Sequence, residues 1–343
     1  MNRDLHAFLR AAGATEADIE RAARDGRLPL LVLDRILLPD VPEYDAAALA
    51  AATGLDEQLL LRFWRALGFA DLPEGATSFT ARDLAAARLL AERLAVADVA
   101  PESFVQQIQA VSAAMARIAI VEAEALLELV ARLGETGLTS EEVALMLSEL
   151  VRWEDLSALI DYEHRMQLRA ALWVRGALAA TPDLPIGVGF ADLAGFTATS
   201  ARLEVDELAE LVTRWDAEAF DTVSAGGGRV VKTIGDEVMF VALPDRAAEI
   251  ALALRDLGRE GNGLLPVRVG VAAGPVVPHA GDVYGPVVNL AHRLAELADP
   301  DTALAPSDLR AALGDDRFRW TDLGSRRLRG IGEVGIVRLE GAR

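Results

Sequence analysis

The stretch that most constrains this chain is Val230–Val241, which reads Val-Val-Lys-Thr-Ile-Gly-Asp-Glu-Val-Met-Phe-Val. Two β-branched or apolar runs flank Gly235-Asp236, a dipeptide suited to a tight turn between antiparallel strands. Just upstream, Gly226-Gly227-Gly228 interrupts a helical pattern and lets the chain re-enter as a strand. The pattern predicts a hairpin with the Asp236 carboxylate at its tip and the Lys232 ammonium near the end of its first strand. Lys232 is the only lysine among 34 basic residues. In a chain so biased towards arginine, a compact three-donor cation does what a planar guanidinium fork cannot. The plain alternative is a surface strand position with no role of its own.

A length of 343 residues with 52% hydrophobic content supports two domains with real cores. The absence of cysteine excludes disulfides, thiolate zinc sites and a cysteine nucleophile. Met1-Asn2-Arg3-Asp4 lacks the basic-then-apolar form of a signal peptide. No uncharged apolar run reaches the ~18 residues of a membrane span, so the expectation is a cytoplasmic protein. A net charge of −19 argues against a nucleic-acid partner held through its phosphate backbone. It leaves room for a small anionic ligand held locally together with metal.

Residues 1 to about 180 show helical periodicity with almost no strand signal. Arg27–Leu38 reads as a helix closed by Pro39 and Pro42, and Ala46–Leu67 as two short helices broken at Thr53-Gly54. The order from Gly54 through Phe79-Thr80-Ala81-Arg82-Asp83-Leu84 resembles the helix-turn-helix start of MerR-type regulators, against which the acidic surroundings weigh. Pro101 opens a long helix whose Phe104, Ile108, Val111, Met115 and Ile118 fall along one side. Ordinary core is the expected reading of that stripe, a partner helix the alternative. Thr139 with Glu142 three residues on is a capping-box start. The helix from Trp153 to about Ala179 carries Tyr162, His164, Arg165, Arg169, Trp173 and Arg175 amid alanines and leucines. That mixture fits a linker helix (about 153–180) at a subunit interface. Two prolines in Thr181-Pro182-Asp183-Leu184-Pro185 end it, which sets the domain boundary at 182/183.

Beyond that boundary the pattern changes. Ile186–Ala191 is a predicted strand, Asp206–Ser224 a helix, Asp245–Gly258 a helix, Val267–Ala272 a strand and Val287–Ala298 a helix. Shorter strands are predicted at Ala303-Leu304, Arg319–Asp322 and Val334–Leu339. The order strand, helix, hairpin, helix, strand is the βαββαβ ferredoxin-like arrangement with additions, so the chain is α+β as a whole. In such a sheet the first and third strands are neighbours, which brings Asp192 and Asp236 to one edge. Two carboxylates there, with Leu193 between strand and turn, suit a pair of Mg²⁺ or Mn²⁺ ions. Gly195-Phe196-Thr197 at a helix start offers backbone N–H groups and a hydroxyl to phosphate oxygens.

Three spaced segments, 190–197, 231–236 and 281–294, closely resemble the class III nucleotidyl cyclases, and the likeness extends over about residues 186–340. The resemblance implies that Asp192 and Asp236 hold two metals and that Lys232 and Asp282 read the adenine edge. It implies further that Asn289 and Arg293 steady the ribose and the reacting phosphate, and that Arg329 lies near the phosphates. Lys232 can donate to adenine N1 and Asp282 can accept from the exocyclic amine. Guanine presents the opposite pattern, so the pair implies ATP as substrate. In this family the site lies between two catalytic domains, which implies a homodimer with two shared sites. The N-terminal half resembles the helical regulatory domain of soluble, pH-responsive actinobacterial adenylate cyclases, mainly over residues 27–95 and the helix before Pro182. That implies an autoregulatory domain, with His164 as a candidate proton sensor and His292, beside Arg293, as a second group able to affect activity. A catalytically silent nucleotide-sensing or DNA-binding regulator is the alternative.

Overall fold

The computed structural model describes residues 2–73, 75–97, 100–180, 184–259, 263–279 and 281–342. The chain divides into two compact units, Met1–Arg169 and Ala170–Arg343. Thr181–Asp183, where composition set the boundary, lie outside the described residues.

The first unit is helical: α1 (Arg3–Ala11), α2 (Glu16–Arg24), α3 (Leu28–Leu37), α4 (Ala46–Thr53), α5 (Glu57–Ala66), α6 (Ala81–Ala97), α7 (Pro101–Glu135), α8 (Ser140–Leu150) and the start of α9 (Trp153–Ala180). Short polar side chains set the helix starts. Thr139 and Glu142 form the expected capping box, Thr15 and Asp18 form another, and Asp45 and Asp56 cap α4 and α5. Gly54 ends α4 in the left-handed conformation at φ 72°, which a side chain would resist. One core joins Leu5, Leu9, Ile19, Val32 and Leu147, and a second joins Leu49, Leu60, Phe79 and Leu84.

The α7 stripe departs from the ordinary-core reading. Phe104 and Ile108 pack beside Phe63 and Val105, and Leu126, Leu129 and Leu133 join the core of α1–α3 and α8. Between them Val111, Met115 and Ile118 are 56%, 46% and 41% exposed. A helix of 35 residues spans two separate small cores, and its middle lies against neither. Along α9, Leu159, Tyr162, Met166 and Leu172 are exposed; the side chains of Trp173 and Arg175 lie outside the described residues.

The second unit runs β1 (Ile186–Leu193), α10 (Phe196–Ser200), α11 (Val205–Ala225), β2 (Arg229–Ile234), β3 (Glu237–Ala242), α12 (Pro244–Leu257), β4 (Val267–Gly274), β5 (Val277–His279), β6 (Asp282–Tyr284), α13 (Pro286–Leu297), β7 (Thr302–Pro306), α14 (Ser307–Leu313), β8 (Phe318–Leu328) and β9 (Gly332–Ala342). Seven strands form one sheet in the order β2-β3-β1-β4-β7-β9-β8. The first four strands have the ferredoxin-like order, with β3 and β4 antiparallel to β1 on either side. Strand β7 adds parallel to β4, and the β8–β9 hairpin closes that edge. The fold is α+β, as expected. The last strands are longer than their predicted cores, and α14 and the small β5–β6 hairpin have no counterpart in the sequence reading.

Alternation along the strands separates two apolar layers. Ala191, Leu193, Val238 and Phe240 face α11 and α12, whereas Val188, Phe190 and Met239 face α13. Gly270 of β4 faces the second layer. A Cβ there would collide with the Ala291 carbonyl and the Ala295 amide, so α13 rests its backbone directly on the sheet.

Candidate active site

The predicted hairpin is present, with Gly235 at φ 64° in the first turn position and Asp236 in the second. Its tip is fixed from behind. Trp215 of α11 is wholly buried, and its Nε1 donates to the Asp236 carbonyl oxygen at 2.8 Å.

Because β1 and β3 are neighbours, the Asp192 and Asp236 side chains come close enough for each charge to act on the other. Burial first, and then the neighbouring Asp192 carboxylate, push the Asp236 carboxyl up to about 7; its own N–H and that of Leu193 pull the other way. The structure thus brings Asp192, Leu193 and Asp236 together. Arg268, which the sequence reading did not single out, stands opposite Asp192 in the β1–β4 register. Its Nε donates to Asp192 Oδ2 at 2.9 Å, and its Nη2 reaches the same oxygen. Asp192 is 15% exposed and Arg268 32%.

Two carboxyl groups side by side offer oxygen ligands of the kind hard divalent cations prefer.

A second cluster lies on the α13 side of the sheet. Lys232 pairs in register with Met239, and its Nζ donates to Asp282 Oδ2 at 2.5 Å. Asp282 opens β6, where its Oδ1 accepts from the Val283 N–H at 2.8 Å. Burial raises the Asp282 carboxyl, but Lys232, the Val283 N–H and Arg229 outweigh it and hold it below its ordinary value. Burial in turn lowers the Arg229 guanidinium, with Asp282 opposing that shift.

Asn289 and Arg293 are one turn apart on α13, Asn289 exposed and Arg293 half-buried against Glu296. Among the described residues neither bonds to Asp192 or Asp236 of the same chain. His292 lies between them in sequence but on another side, its ring edge-on to Phe190 and its Nε2 3.3 Å from Glu237 Oε1. Burial, with the charges of Asp192 and Glu296, raises the Glu237 carboxyl, and His292 offsets only part of that rise.

Gly195, at φ 83°, precedes the short helix α10, with Phe196 packed on the core and Thr197 exposed. Arg329 is exposed in the turn between β8 and β9, across the sheet from the carboxylate hairpin. Its neighbour Leu328 packs on Leu294, with Leu290 alongside, so this turn borders the helix of Asn289 and Arg293. His164 is exposed on α9 and makes no hydrogen bond or ion pair among the described residues. No described helix is long and apolar enough to cross a membrane.

Residues 179–341 match the family described as the adenylate and guanylate cyclase catalytic domain. The chain is 36% identical over 306 residues to an adenylate cyclase of Streptomyces coelicolor, covering 88% of this chain and 79% of that protein. It is 34% identical over 330 residues to a pH-sensitive adenylate cyclase of Mycobacterium tuberculosis, covering 91% and 82%. The guanylate cyclase domain of RhGC from Catenaria anguillulae, solved with GTP, aligns at a TM-score of 0.44 and 20% identity, covering 46% of this chain and 97% of that one.

Proposed function

Because the chain belongs to the adenylate and guanylate cyclase family, we propose that it converts ATP to 3′,5′-cyclic AMP and pyrophosphate at two sites shared by a pair of identical chains. The observation that carries this reading is the approach of Asp236, on the β2–β3 turn, to Asp192 on the neighbouring β1, while Lys232 and Asp282 form a separate ion pair.

In the proposed reaction the ribose 3′-hydroxyl gives its proton to water as its oxygen attacks the α-phosphorus in line; a new P–O bond forms, and the bond to pyrophosphate breaks. Bound Mg²⁺ or Mn²⁺, two per site, supplies Lewis acidity toward the 3′-hydroxyl and the triphosphate. Asp192 and Asp236 hold those cations, with the Leu193 backbone alongside. Gly195, Phe196 and Thr197 offer N–H groups and a hydroxyl to the phosphates. From the twin chain, Lys232 donates to adenine N1 and Asp282 accepts from the amino group. Asn289 orients the ribose, Arg293 offsets charge that builds on the reacting phosphate, and Arg329 faces the phosphate tail.

On this reading the twin supplies Lys232, Asp282, Asn289 and Arg293, as the resemblance to a family with sites between two catalytic domains implies. The helical half, residues 1–182, acts as a regulatory domain ending in the linker helix. Its support is the match to curated relatives across most of the chain, one of them named for pH sensitivity. Incubation of purified protein with ATP and Mn²⁺, followed by detection of cyclic AMP, tests the activity. Protein that leaves ATP unchanged with either metal returns the chain to the silent-regulator reading.

A further inference from the structure

The Arg268–Asp192 ion pair sits where the proposed metal site must form. Arg268 reaches Asp192 through both Nε and Nη2, and both bonds end on the same oxygen, Oδ2. The register puts Arg268 directly opposite Asp192 on the neighbouring strand. Both side chains point to the α13 face, alternating with Val267 and Val269, which are buried in the other layer. The carboxylate is mostly enclosed, so its charge needs a partner within the protein. Glu237 lies in the same electrostatic neighbourhood, and its carboxyl also feels Arg268. The Arg268 guanidinium therefore bonds Asp192 directly and also bears on Glu237.

We infer that Arg268 is the resting counter-cation of the metal site: it holds Asp192 while the site is unloaded and must give up that oxygen when a divalent cation binds. The inference rests on the two-metal reading above. It makes Arg268 a positioning residue that sets metal affinity by competition. A carboxylate oxygen engaged by two N–H donors is less available to a cation, and apparent affinity falls by the fraction of time the oxygen is occupied. The guanidinium keeps the empty site from flying apart by carboxylate repulsion, at the cost of weaker loading.

The test is Mn²⁺ binding by the full-length protein without nucleotide, followed by electron paramagnetic resonance from micromolar to millimolar metal. Arg268→Gln is expected to bind Mn²⁺ about tenfold more tightly than the unaltered protein, and Arg268→Lys to fall between them. In chelator, Arg268→Gln is expected to melt at lower temperature, and saturating Mn²⁺ to recover more of that loss than it adds to the unaltered protein. Unchanged or weaker Mn²⁺ binding by Arg268→Gln overturns the inference, because a merely structural arginine would lower stability without raising affinity. Asp192→Ala separates the two readings. If Mn²⁺ binding survives Asp192→Ala, or if the unaltered protein and Arg268→Gln both bind none, the metal reading itself fails.

Discussion

The indole of Trp215 holds the backbone of Asp236: Nε1 lies 2.8 Å from the carbonyl oxygen, and the ring is completely buried. A carboxylate on a two-residue turn is only as well placed as the turn, and this bond ties the turn to α11. Trp215→Phe keeps an aromatic ring in the core but leaves that carbonyl without its donor. The expected result is a fall in kcat of about tenfold with a small change in KM for ATP. Steady-state kinetics check it, with a thermal melt to confirm that the variant is folded.

Shared sites make a quantitative forecast. Asp192→Ala and Asn289→Ala should each lose activity by about 100-fold or more. Mixed in equal amounts with free exchange, half the dimers carry one chain of each kind, and each of those has one intact site of two. Activity should then return to roughly a quarter of the unaltered level. A mixture no more active than its parts rules out the shared site.

Base selection should follow the Lys232–Asp282 pair. Lys232→Glu places an acceptor against adenine N1 and removes the partner of Asp282. The expected outcome is a drop of about 100-fold in kcat/KM for ATP and a rise in the GTP-to-ATP ratio. Initial rates of cyclic AMP and cyclic GMP formation measure both.

The raised Asp236 carboxyl has a consequence for stability without metal. Its ordinary value is 3.8 and its value in the fold about 7, so between those limits the folded chain binds the extra proton. Stability from this group is therefore greatest at the acid end and declines as pH climbs towards 7, the reverse of the usual carboxylate. In chelator, the melting temperature of Asp236→Asn should fall less over this interval than that of the unaltered protein. Equal slopes would remove Asp236 as the source.

Regulation is tested by comparing residues 183–343 with the full chain from about pH 5.5 to 8, the range in which a histidine titrates. Different pH–activity profiles are expected. Superimposed profiles would leave the helical half without a regulatory role.

Local chemistry was readable in the sequence. Gly235-Asp236 between apolar runs gave the hairpin, and Thr139 with Glu142 gave a helix start, because each needs only neighbouring residues. The meeting of Asp192 with Asp236 followed from strand order alone. Arg268 did not, since its place depends on the register between strands some 76 residues apart. Trp215 looked like any apolar helix residue until the hairpin packed on it. Strand β8 was cut short in the sequence reading because its pairing shifts between Asp322 and Ser325, around Gly324 at φ 76°, and its second half carries Ser325, Arg326 and Arg327, polar and exposed on both faces, rather than a clean alternation. Nothing local distinguishes the middle of α7 from its buried ends, because exposure there reflects the gap between two cores.

Gly270 gives the sheet control over how far α13 can reach. With helix backbone lying on strand backbone, no side chain is left between them to yield, so a methyl group at this position must lift or roll the whole helix. On the shared-site proposal, Asn289 and Arg293 would move with it, away from phosphates held by the other chain's carboxylates and metals. A substitution in the floor of one protomer would thus be felt as a defect in its neighbour's catalysis, with its own carboxylates undisturbed.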